Sequence, residues 1–457
     1  MVLSRLQGGR AKRATPAEAT PDRPGLAARQ IAARLLAAVI DAKTPLDGLV
    51  DAEHGQGQFR ALSLPDRALV RAILQTSLRF RGTVEAELAA RLRDGLPPNA
   101  QTLRHILHVA AAQILFLDVP DSAAVDLAVS HAKADPRTQR FAGLVNAVLR
   151  SLARDKGERL DTTANTAPWF AEAVRAAYGP DKASAILRMH EVEAPVDFTV
   201  KTDGEGWAAR WGGTALSTGS VRVPRLPGAV ASLEGFAEGA WWVQDAAAAL
   251  PARLLHARPG ERVADLCAAP GGKTAQLALS GAAVTAFDIS ASRLKRLRAN
   301  LARLNLEAET VEADLLRFDP PEPFDAVLLD APCSSTGTVR RHPDVPWTKG
   351  PEDVAKLAHL QRRLLERALG FVRPGGRVVF SNCSLLPAEG EDLWRAFLAD
   401  NPDAEPDPIR PDEIDGIAPF VTPEGTLRTT PADWPHDNPS LAGLDGFFAA
   451  RFRRRAR

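Results

Sequence analysis

Cysteine is scarce in this sequence, with three in 457 residues, at positions 267, 333 and 383. An odd, sparse set argues against a disulfide framework and for free thiols in a reducing compartment, so we expect a cytoplasmic protein. No cysteine has a second cysteine or a histidine two to four positions away, which leaves a zinc site without support. Apolar runs stay short of the roughly 20 residues that a membrane-spanning helix needs. We therefore expect neither a metal nor a membrane partner.

A large net charge is absent as well, because 57 Lys and Arg nearly balance 56 Asp and Glu. The balance is uneven: residues 1–160 hold 23 basic against 16 acidic side chains, and the remainder hold 34 against 40. This asymmetry suggests that one end of the chain meets a polyanion, although a run such as the closing RFRRRAR is as often only a solvated tail. The length exceeds one ordinary core, so two or three domains are expected.

The first part of the chain predicts a tail followed by helices. Residues 1–25 hold three prolines, scattered basic residues and little apolar content, which predicts a disordered basic lead. No acid precedes Glu18, so a mitochondrial transit peptide is the alternative. Over residues 26–154, apolar positions recur at helical spacing, as in Ile31, Leu35 and Val39, and predict an all-α bundle.

Three stretches of this helical segment are DRALVRAILQTSLRFRG, LRHILHVAAAQILFLDVPDSAAVDLAVSHAK and FAGLVNAVLR. Together they resemble the NusB family of RNA-binding domains. The resemblance implies an RNA-binding or docking module with Arg67, Arg79 and Arg81 as phosphate contacts; helices that only package the protein are the alternative. His105 and His108 lie three apart and could share a metal, but two ordinary helix histidines fit better without a carboxylate partner.

The middle of the chain is harder to interpret. Residues 155–238 combine a helix around PWFAEAVRAAYG with short strands at 198–200 and 220–223, which predicts a small α/β connector. In WWVQDAAAALPARLL, two aromatics and the polar pair Gln244 and Asp245 lead an Ala- and Leu-rich helix that Asp245 would cap. Residues 239–457 then alternate strands and helices, which predicts a mainly parallel, doubly wound Rossmann-like α/β domain.

The stretch VADLCAAPGGKT, residues 263–274, runs from the first strand of that domain through a Pro-Gly-Gly turn into a helix. Its GGKT ending suggests a P-loop, but that pattern needs glycine at position 267, where the chain has cysteine. Asp288 ends the second strand and could accept hydrogen bonds from ribose hydroxyls, and Asp314 follows the third. The set favours an S-adenosylmethionine site, with a nucleotide site as the alternative.

Cys333 and Cys383 each follow a strand, in LLDAPCSSTG and VVFSNCSLLP. The carboxyl ends of parallel strands meet at one edge of a sheet, where ligands bind. Free cysteines are most often inert, small apolar residues. Two thiols that face one cofactor nevertheless suggest covalent catalysis, because a thiolate is a strong nucleophile.

The combination of AAPGGKT, FDIS, LLDAPCSSTGTVRRHPD and a strand ending in CSLLP resembles the RNA cytosine-5 methyltransferase family. With the NusB-like front and the closing DGFFAARF, residues 26–453 resemble its ribosomal RNA branch, the RsmB (Sun/Fmu) proteins. The resemblance implies a class I methyltransferase fold, S-adenosyl-L-methionine as cofactor, and methylation of cytosine C5 in small-subunit ribosomal RNA through an adduct at C6.

The resemblance also implies the roles of individual residues. Cys383 is the implied nucleophile, Cys333 assists product release, and Asp330 binds the base and stabilises charge that builds at N3. The implied cofactor contacts are Cys267, Ala268, Ala269, Pro270, Gly271, Gly272, Lys273, Asp288, Arg293, Asp314 and Asp330.

Some positions depart from the family pattern. Asn382 stands where threonine is usual, Glu-Gly-Glu at 389–391 replaces Glu-Asn-Glu, and Thr-Val-Lys at 199–201 replaces Arg-Val-Asn. Two alternatives stay open: the same reaction on transfer RNA, and a non-catalytic RNA-binding or antitermination factor, against which the paired cysteines count. We expect a monomer divided into a lead (1–25), a NusB-like domain (26–154), a connector (155–238) and a methyltransferase domain (239–457). Residues 410–445 have no assigned role beyond a place beside the active site.

Overall fold

The computed structural model describes residues 23–92, 95–96, 100–156, 165–226 and 228–456. The predicted basic lead falls almost wholly outside these residues. The helices are α1 (Leu26–Asp41), α2 (Leu46–Leu49), α3 (Gly57–Arg60), α4 (Leu64–Arg79), α5 (Arg81–Arg91), α6 (Gln101–Phe116), α7 (Asp121–Ala134), α8 (Ala142–Arg154), α9 (Pro168–His190), α10 (Gly204–Trp211), α11 (Leu250–Leu254), α12 (Gly272–Leu279), α13 (Ala291–Arg303), α14 (Val345–Thr348), α15 (Pro351–Phe371) and α16 (Glu391–Asp400). The strands are β1 (Val196–Val200), β2 (Thr214–Ala215), β3 (Ser220–Val223), β4 (Trp241–Val243), β5 (Arg262–Leu266), β6 (Ala283–Asp288), β7 (Glu309–Glu312), β8 (Phe324–Asp330), β9 (Val372–Asn382), β10 (Ala404–Pro406), β11 (Leu427–Thr429) and β12 (Phe447–Arg454).

The front of the chain is the all-α bundle that the apolar spacing predicts. The apolar stripe of α1 is buried against that of α4, with Leu36, Ile73 and Leu74 fully inaccessible to solvent. Helix α4 begins where the Ser63 hydroxyl accepts a hydrogen bond from the Asp66 N–H at 3.2 Å, an N-cap that satisfies a donor of the first turn. Burial of one helical face therefore builds this core.

Two predictions for charged residues of the bundle change with the structure. Arg79 donates to the carbonyl of Arg340 at 2.8 Å, and Arg81 is 7% exposed, with its guanidinium 5.0 Å from the centre of the Trp347 ring. Both side chains lie against the α/β domain, so their prediction as phosphate contacts is wrong. Arg67 is partly buried and donates to backbone carbonyls of its own segment.

The histidines of α6 have separate partners. His105 Nε2 lies 2.8 Å from a carboxylate oxygen of Asp41, and His108 Nε2 lies 3.1 Å from the carbonyl of Ser77. Burial lowers the pKa of His108 to about 3. Within the part of the chain that the structure describes, no group of three or more His, Cys, Asp or Glu is placed to hold a metal.

The connector is an antiparallel sheet in the order β2-β3-β1-β4, with α10 beside β3. The segment WWV precedes a helix, as predicted, but it also forms a strand that was not predicted, β4, in which Trp241 pairs with Val200. The physical reason is aromatic packing, since the buried Trp241 ring lies 4.9 Å from that of Phe198, and aromatic side chains favour half-buried strands. The helix that follows is only α11.

The large sheet runs in the order β10-β12-β9-β8-β5-β6-β7, and β11 pairs with β12. From β9 to β7 every neighbouring pair is parallel, which confirms the predicted doubly wound α/β domain. The strands β10, β11 and β12 were not predicted. Most of the closing basic run belongs to β12, and Arg451 is 5% exposed and ion-paired to Glu413 at 2.8 Å. Residues 451–454 of the run therefore belong to a sheet strand and not to a solvated tail.

Among the described residues, none of these helices is long and apolar enough to cross a membrane.

Candidate active site

The turn at the carboxyl end of β5 forms the first wall of the site. Its Ala269–Pro270 peptide is cis, and Gly271 has a φ of 102° at the start of α12. A Cβ on Gly271 would lie 2.8 Å from Cγ of Leu297, so both conformation and space require glycine. The Ala268 N–H donates to the Phe287 carbonyl at 2.9 Å, which joins the turn to β6. All of residues 267–273 lie in this turn or in the first residues of α12.

Asp288, the last residue of β6, faces that turn. Its carboxylate is 1% exposed and accepts from the N–H of Ala269 at 3.2 Å and of Ser290 at 3.0 Å. Arg293 lies 3.0 Å from the same carboxylate and donates to the carbonyl of Ala269. The structure therefore brings two predicted cofactor residues, Asp288 and Arg293, onto the predicted turn.

Asp314 lies beside this group without joining it. The Ala313 N–H donates to the Asp288 carbonyl at 3.1 Å, so Asp314 follows the neighbouring strand end. Its side chain is 41% exposed, accepts from the Leu316 N–H at 3.0 Å and pairs with Arg317 at 3.6 Å. In this arrangement the carboxylate stabilises its own turn and remains open to solvent.

Asp330 connects the turn to the thiols. It ends β8, and its Oδ2 accepts from Lys273 Nζ at 2.7 Å while its Oδ1 accepts from the Ser381 hydroxyl at 2.9 Å. The Lys273 side chain is 10% exposed, and its ammonium lies 4.9 Å from the centre of the Phe447 ring. Each of these partners comes from a different element, so the contact joins α12, β8, β9 and β12 at one point.

The two predicted reactive thiols touch. Cys333 Sγ lies 3.3 Å from Cys383 Sγ, and the Ser335 hydroxyl lies 3.8 Å from Cys383 Sγ. The hydrogen bond from Cys333 lowers the pKa of Cys383, against the effect of burial. The same hydrogen bond, together with burial, raises the pKa of Cys333. One sulfur is thus favoured as the thiolate and the other as the thiol.

Cys267 differs from this pair. Burial raises the pKa of its thiol to about 12, and the negative charge of Asp288 adds to the effect. Its backbone adopts a left-handed φ of 62° in the turn after β5. A protonated, buried thiol has little nucleophilic character, so the residue serves the shape of the turn.

Several residues of the site were not predicted from the sequence. Asp265 lies inside β5, where burial raises its carboxyl pKa to about 7 and the Thr274 hydroxyl donates to it at 2.6 Å. An acid within a buried apolar strand was the available signal. Glu389 is also fully buried, directly behind the thiols.

A buried charge cluster holds the loop that follows Cys333. Arg341 contacts Asp245 at 2.6 Å and Asp445 at 3.0 Å. Asp245 also accepts from the Ala247 N–H at 2.8 Å, in the turn before α11. The N-cap of that helix is Ala249, so the prediction that Asp245 caps the helix is wrong, and Asp245 serves mainly as an ion-pair partner. The segment 410–445, for which the sequence predicts no role beyond a place beside the active site, therefore helps through Asp445 to hold the loop that follows Cys333.

Comparison with known proteins identifies the family. The family model described as 16S rRNA methyltransferase RsmB/F matches residues 252–453, and the NusB family model matches residues 26–154. Ribosomal RNA small subunit methyltransferase B of Pseudomonas syringae is 35% identical over 93% of this chain and 96% of its own length. The chain belongs to this RNA methyltransferase family.

Another curated member agrees with this assignment, and solved structures share the fold. Ribosomal RNA small subunit methyltransferase B of Xanthomonas campestris is 38% identical to the present chain, over 84% of this chain and 90% of its own length. A methyltransferase homologue from Pyrococcus horikoshii superposes with a TM-score of 0.52 at 28% identity, over 67% of this chain and 98% of its own. The crystal structure of PH0851 has the same fold, with a TM-score of 0.73 at 23% identity, over 95% of this chain and 99% of its own.

Proposed function

We propose that this chain methylates C5 of a cytosine in small-subunit ribosomal RNA, with S-adenosyl-L-methionine as methyl donor and a covalent adduct between Cys383 and C6 of the base. The observation that carries the proposal is the pair of touching thiols with opposite pKa shifts at the carboxyl edge of the sheet. A non-catalytic RNA-binding protein would have no need of such a pair.

The turn after β5 fits the cofactor. Residues 267–273 would hold it through backbone groups, while Asp288 and Arg293 would lie beside its ribose and Asp314 at the edge of the pocket. Asp265 Oδ1 is buried without a hydrogen-bond partner among the described residues, so one polar atom behind the turn is free to bind a donor. When bound, S-adenosylmethionine supplies an electrophilic methyl group on a sulfonium sulfur.

Cys383 activates the base, because C5 of cytosine is a poor nucleophile. Its thiolate adds to C6, which makes C5 enamine-like and reactive towards a methyl group. The Lys273 ammonium at 2.7 Å and the Ser381 hydroxyl at 2.9 Å orient the Asp330 carboxyl group, which would contact the pyrimidine edge. Together with its bonded ammonium, Asp330 would stabilise the negative charge that builds at N3 when the thiolate adds. The base must first leave its stack, at a cost of a few kcal/mol that is smallest in a loop or single strand.

Cys333 completes the reaction. After methyl transfer a proton must leave C5, and the bond between Cys383 sulfur and C6 must break. Cys333 lies 3.3 Å from the leaving sulfur. Its raised pKa keeps it protonated during the addition step, so it can give that proton to the departing Cys383 thiolate. The Cys333 thiolate that remains would then accept the proton that leaves C5, so both cysteines end the reaction as thiols.

The test uses undermethylated ribosomal RNA and labelled S-adenosylmethionine. Cys383→Ala should abolish methyl transfer, and Cys333→Ala should accumulate a protein–RNA adduct that survives denaturation. Glu322→Gln is the control, because the Glu322 side chain is 71% exposed in a surface pair with Arg262 and precedes the amino end of β8, opposite the edge that carries the thiols. Full activity of Cys383→Ala would refute the covalent mechanism, and bisulfite mapping of the product would identify the cytosine.

A further inference from the structure

Glu389 is a buried carboxylate that the reaction described above does not use. It lies in the short turn after β9 and is fully inaccessible to solvent. Its Oε1 accepts from the Ser334 N–H and from Gln361 Nε2, each at 2.9 Å. Its Oε2 accepts from the Ser384 hydroxyl at 2.6 Å and from the Ser334 hydroxyl. Four donors therefore converge on one carboxylate.

Burial of such a group is costly unless it is fully hydrogen-bonded, and charge-assisted hydrogen bonds are the strong ones. The donors that satisfy Glu389 come from residues directly next to the two thiols. Ser334 follows Cys333, and Ser384 follows Cys383, although the two segments are 50 positions apart in the chain. The carboxylate thus joins both cysteine-bearing segments from behind.

Further contacts hold the backbone at Glu389. Asn382 donates its side-chain amide to the Glu389 carbonyl at 2.6 Å and accepts from the Ser384 N–H at 3.0 Å. The turn that carries Cys383 is therefore hydrogen-bonded to both the backbone and the side chain of Glu389. Asn382 is one of the positions where this chain departs from the family pattern, and an amide supplies both the donor and the acceptor needed here.

We propose that Glu389 is a positioning residue that holds Cys333 and Cys383 at the separation that their shared proton and the covalent step require. The inference rests on the covalent function proposed above. The thiol contact of 3.3 Å depends on the relative placement of two segments, and Glu389 bonds to both. The negative charge of Glu389 also adds to the rise in the pKa of Cys333, after the Cys383 hydrogen bond and burial.

Glu389→Gln is the variant of choice, because it removes the charge and keeps the shape. The amide oxygen can take the place of Oε1 and accept from Ser334 N–H and Gln361. The amide nitrogen then meets the hydroxyls of Ser334 and Ser384, which can rotate to accept, since Thr336 offers them another partner at 3.1 and 3.0 Å. We therefore expect a folded protein with a loosened contact between the segments. Ser384→Ala, which deletes one of the four donors, provides a second route to the same effect.

Steady-state kinetics give the first readout. A misplacement on the order of 1 Å at the reacting groups costs up to about 100-fold in rate, so kcat of Glu389→Gln should fall about 10- to 100-fold while KM for RNA stays within about twofold. Glu322→Gln, the same substitution at an exposed carboxylate remote from the thiols, should keep kcat near the wild-type value. A higher KM for RNA with an unchanged kcat in Glu389→Gln would overturn the positioning role.

Phenylarsine oxide gives a second readout that needs neither RNA nor cofactor. The arsenical condenses with two neighbouring thiols, forming two arsenic–sulfur bonds and releasing one water, so its affinity reports the thiol spacing. Wild type should bind it tightly, Cys333→Ser should set the background, and Glu389→Gln and Ser384→Ala should bind at least about tenfold more weakly, corresponding to about 1.4 kcal/mol.

The two experiments separate this inference from the proposed function. Wild-type arsenical binding by Glu389→Gln would refute the positioning role even if kcat had fallen. If instead Cys383→Ala stays active, the covalent function fails, while weakened arsenical binding would still show that Glu389 sets the spacing of the thiols.

Discussion

Replacement of Arg222 by methionine should strongly destabilise the chain, because it leaves a buried carboxylate without its partner. Arg222 on β3 pairs across the sheet with Asp197 on β1, and the two side chains are 1% and 0% exposed. Their contact is bidentate, at 2.7 and 2.8 Å. Arg222 also donates to the carbonyls of Leu441 and Gly443 at 2.9 and 2.8 Å, so it ties the connector to the segment before β12.

Removal of one partner of a buried ion pair typically costs about 3–5 kcal/mol, because the remaining charge has lost both water and its counterion. In Arg222→Met, the Ala246 N–H at 3.0 Å is the hydrogen-bond donor that the Asp197 carboxylate keeps among the residues that the structure describes. Urea unfolding followed by tryptophan fluorescence is the assay, and with a slope of about 3 kcal/mol per molar the midpoint should fall by about 1–2 M. Trp241 lies in the connector core and reports on this region.

Two further variants determine whether the buried charge is the cause. Adding Asp197→Asn to Arg222→Met should recover part of the loss, since the uncompensated charge is then gone. Arg410→Met, whose side chain is 70% exposed in a surface pair, should change stability by no more than about 0.5 kcal/mol. A loss of under about 1 kcal/mol in Arg222→Met would refute the reasoning.

Two shorter predictions concern the active site. Gly337→Ala should abolish labelled methyl incorporation, because the added Cβ would lie 1.9 Å from the carbonyl oxygen of Gly446. The resulting shift would also move the Gly337 N–H, which donates to the Cys383 carbonyl at 2.9 Å. Normal activity of Gly337→Ala would contradict this prediction. Burial raises the pKa of Asp265 to about 7, so the folded chain keeps a proton that the unfolded chain releases near pH 4. The contribution of Asp265 to stability therefore falls as pH rises from about 4 to about 7. Asp265→Asn should remove that fall, and thermal unfolding at pH 5 and pH 8 measures it.

The sequence predicts the elements that carry strong local signals. The apolar stripes of α1 and α4 and the buried strands β5, β6 and β8 follow directly from hydrophobic spacing. The strand β12 was missed because its arginines resemble a tail, and the ion pairs of Arg451 with Glu413 and Asp407 explain why such a strand can be buried. The strand β4 was not predicted, because the Ala-rich residues that follow Trp241 and Trp242 indicate a helix and not a sheet.

The contacts inside the site could not be predicted in the same way, because they join residues far apart in the chain. Lys273 and Asp330 are 57 positions apart, and Glu389 and Ser334 are 55 apart. Strand-end topology predicts that such residues share one edge of the sheet, but not which donor meets which acceptor. That choice depends on side-chain packing, which the spacing of a sequence does not encode.

The contact between Lys273 and Asp330 has a consequence for how substitutions in the turn should be interpreted. Lys273 belongs to the predicted cofactor turn, whereas Asp330 belongs with the thiols, and the lysine is the cation bonded to that carboxylate. Loss of the ammonium would therefore change the hydrogen bonding and charge of Asp330, the proposed base-binding residue, together with the proposed cofactor pocket. Asp288, whose described side-chain partners are Ala269, Ser290 and Arg293, has no such link. A defect in cofactor binding alone is thus expected from Asp288, while a Lys273 variant couples cofactor binding to the chemistry at the base.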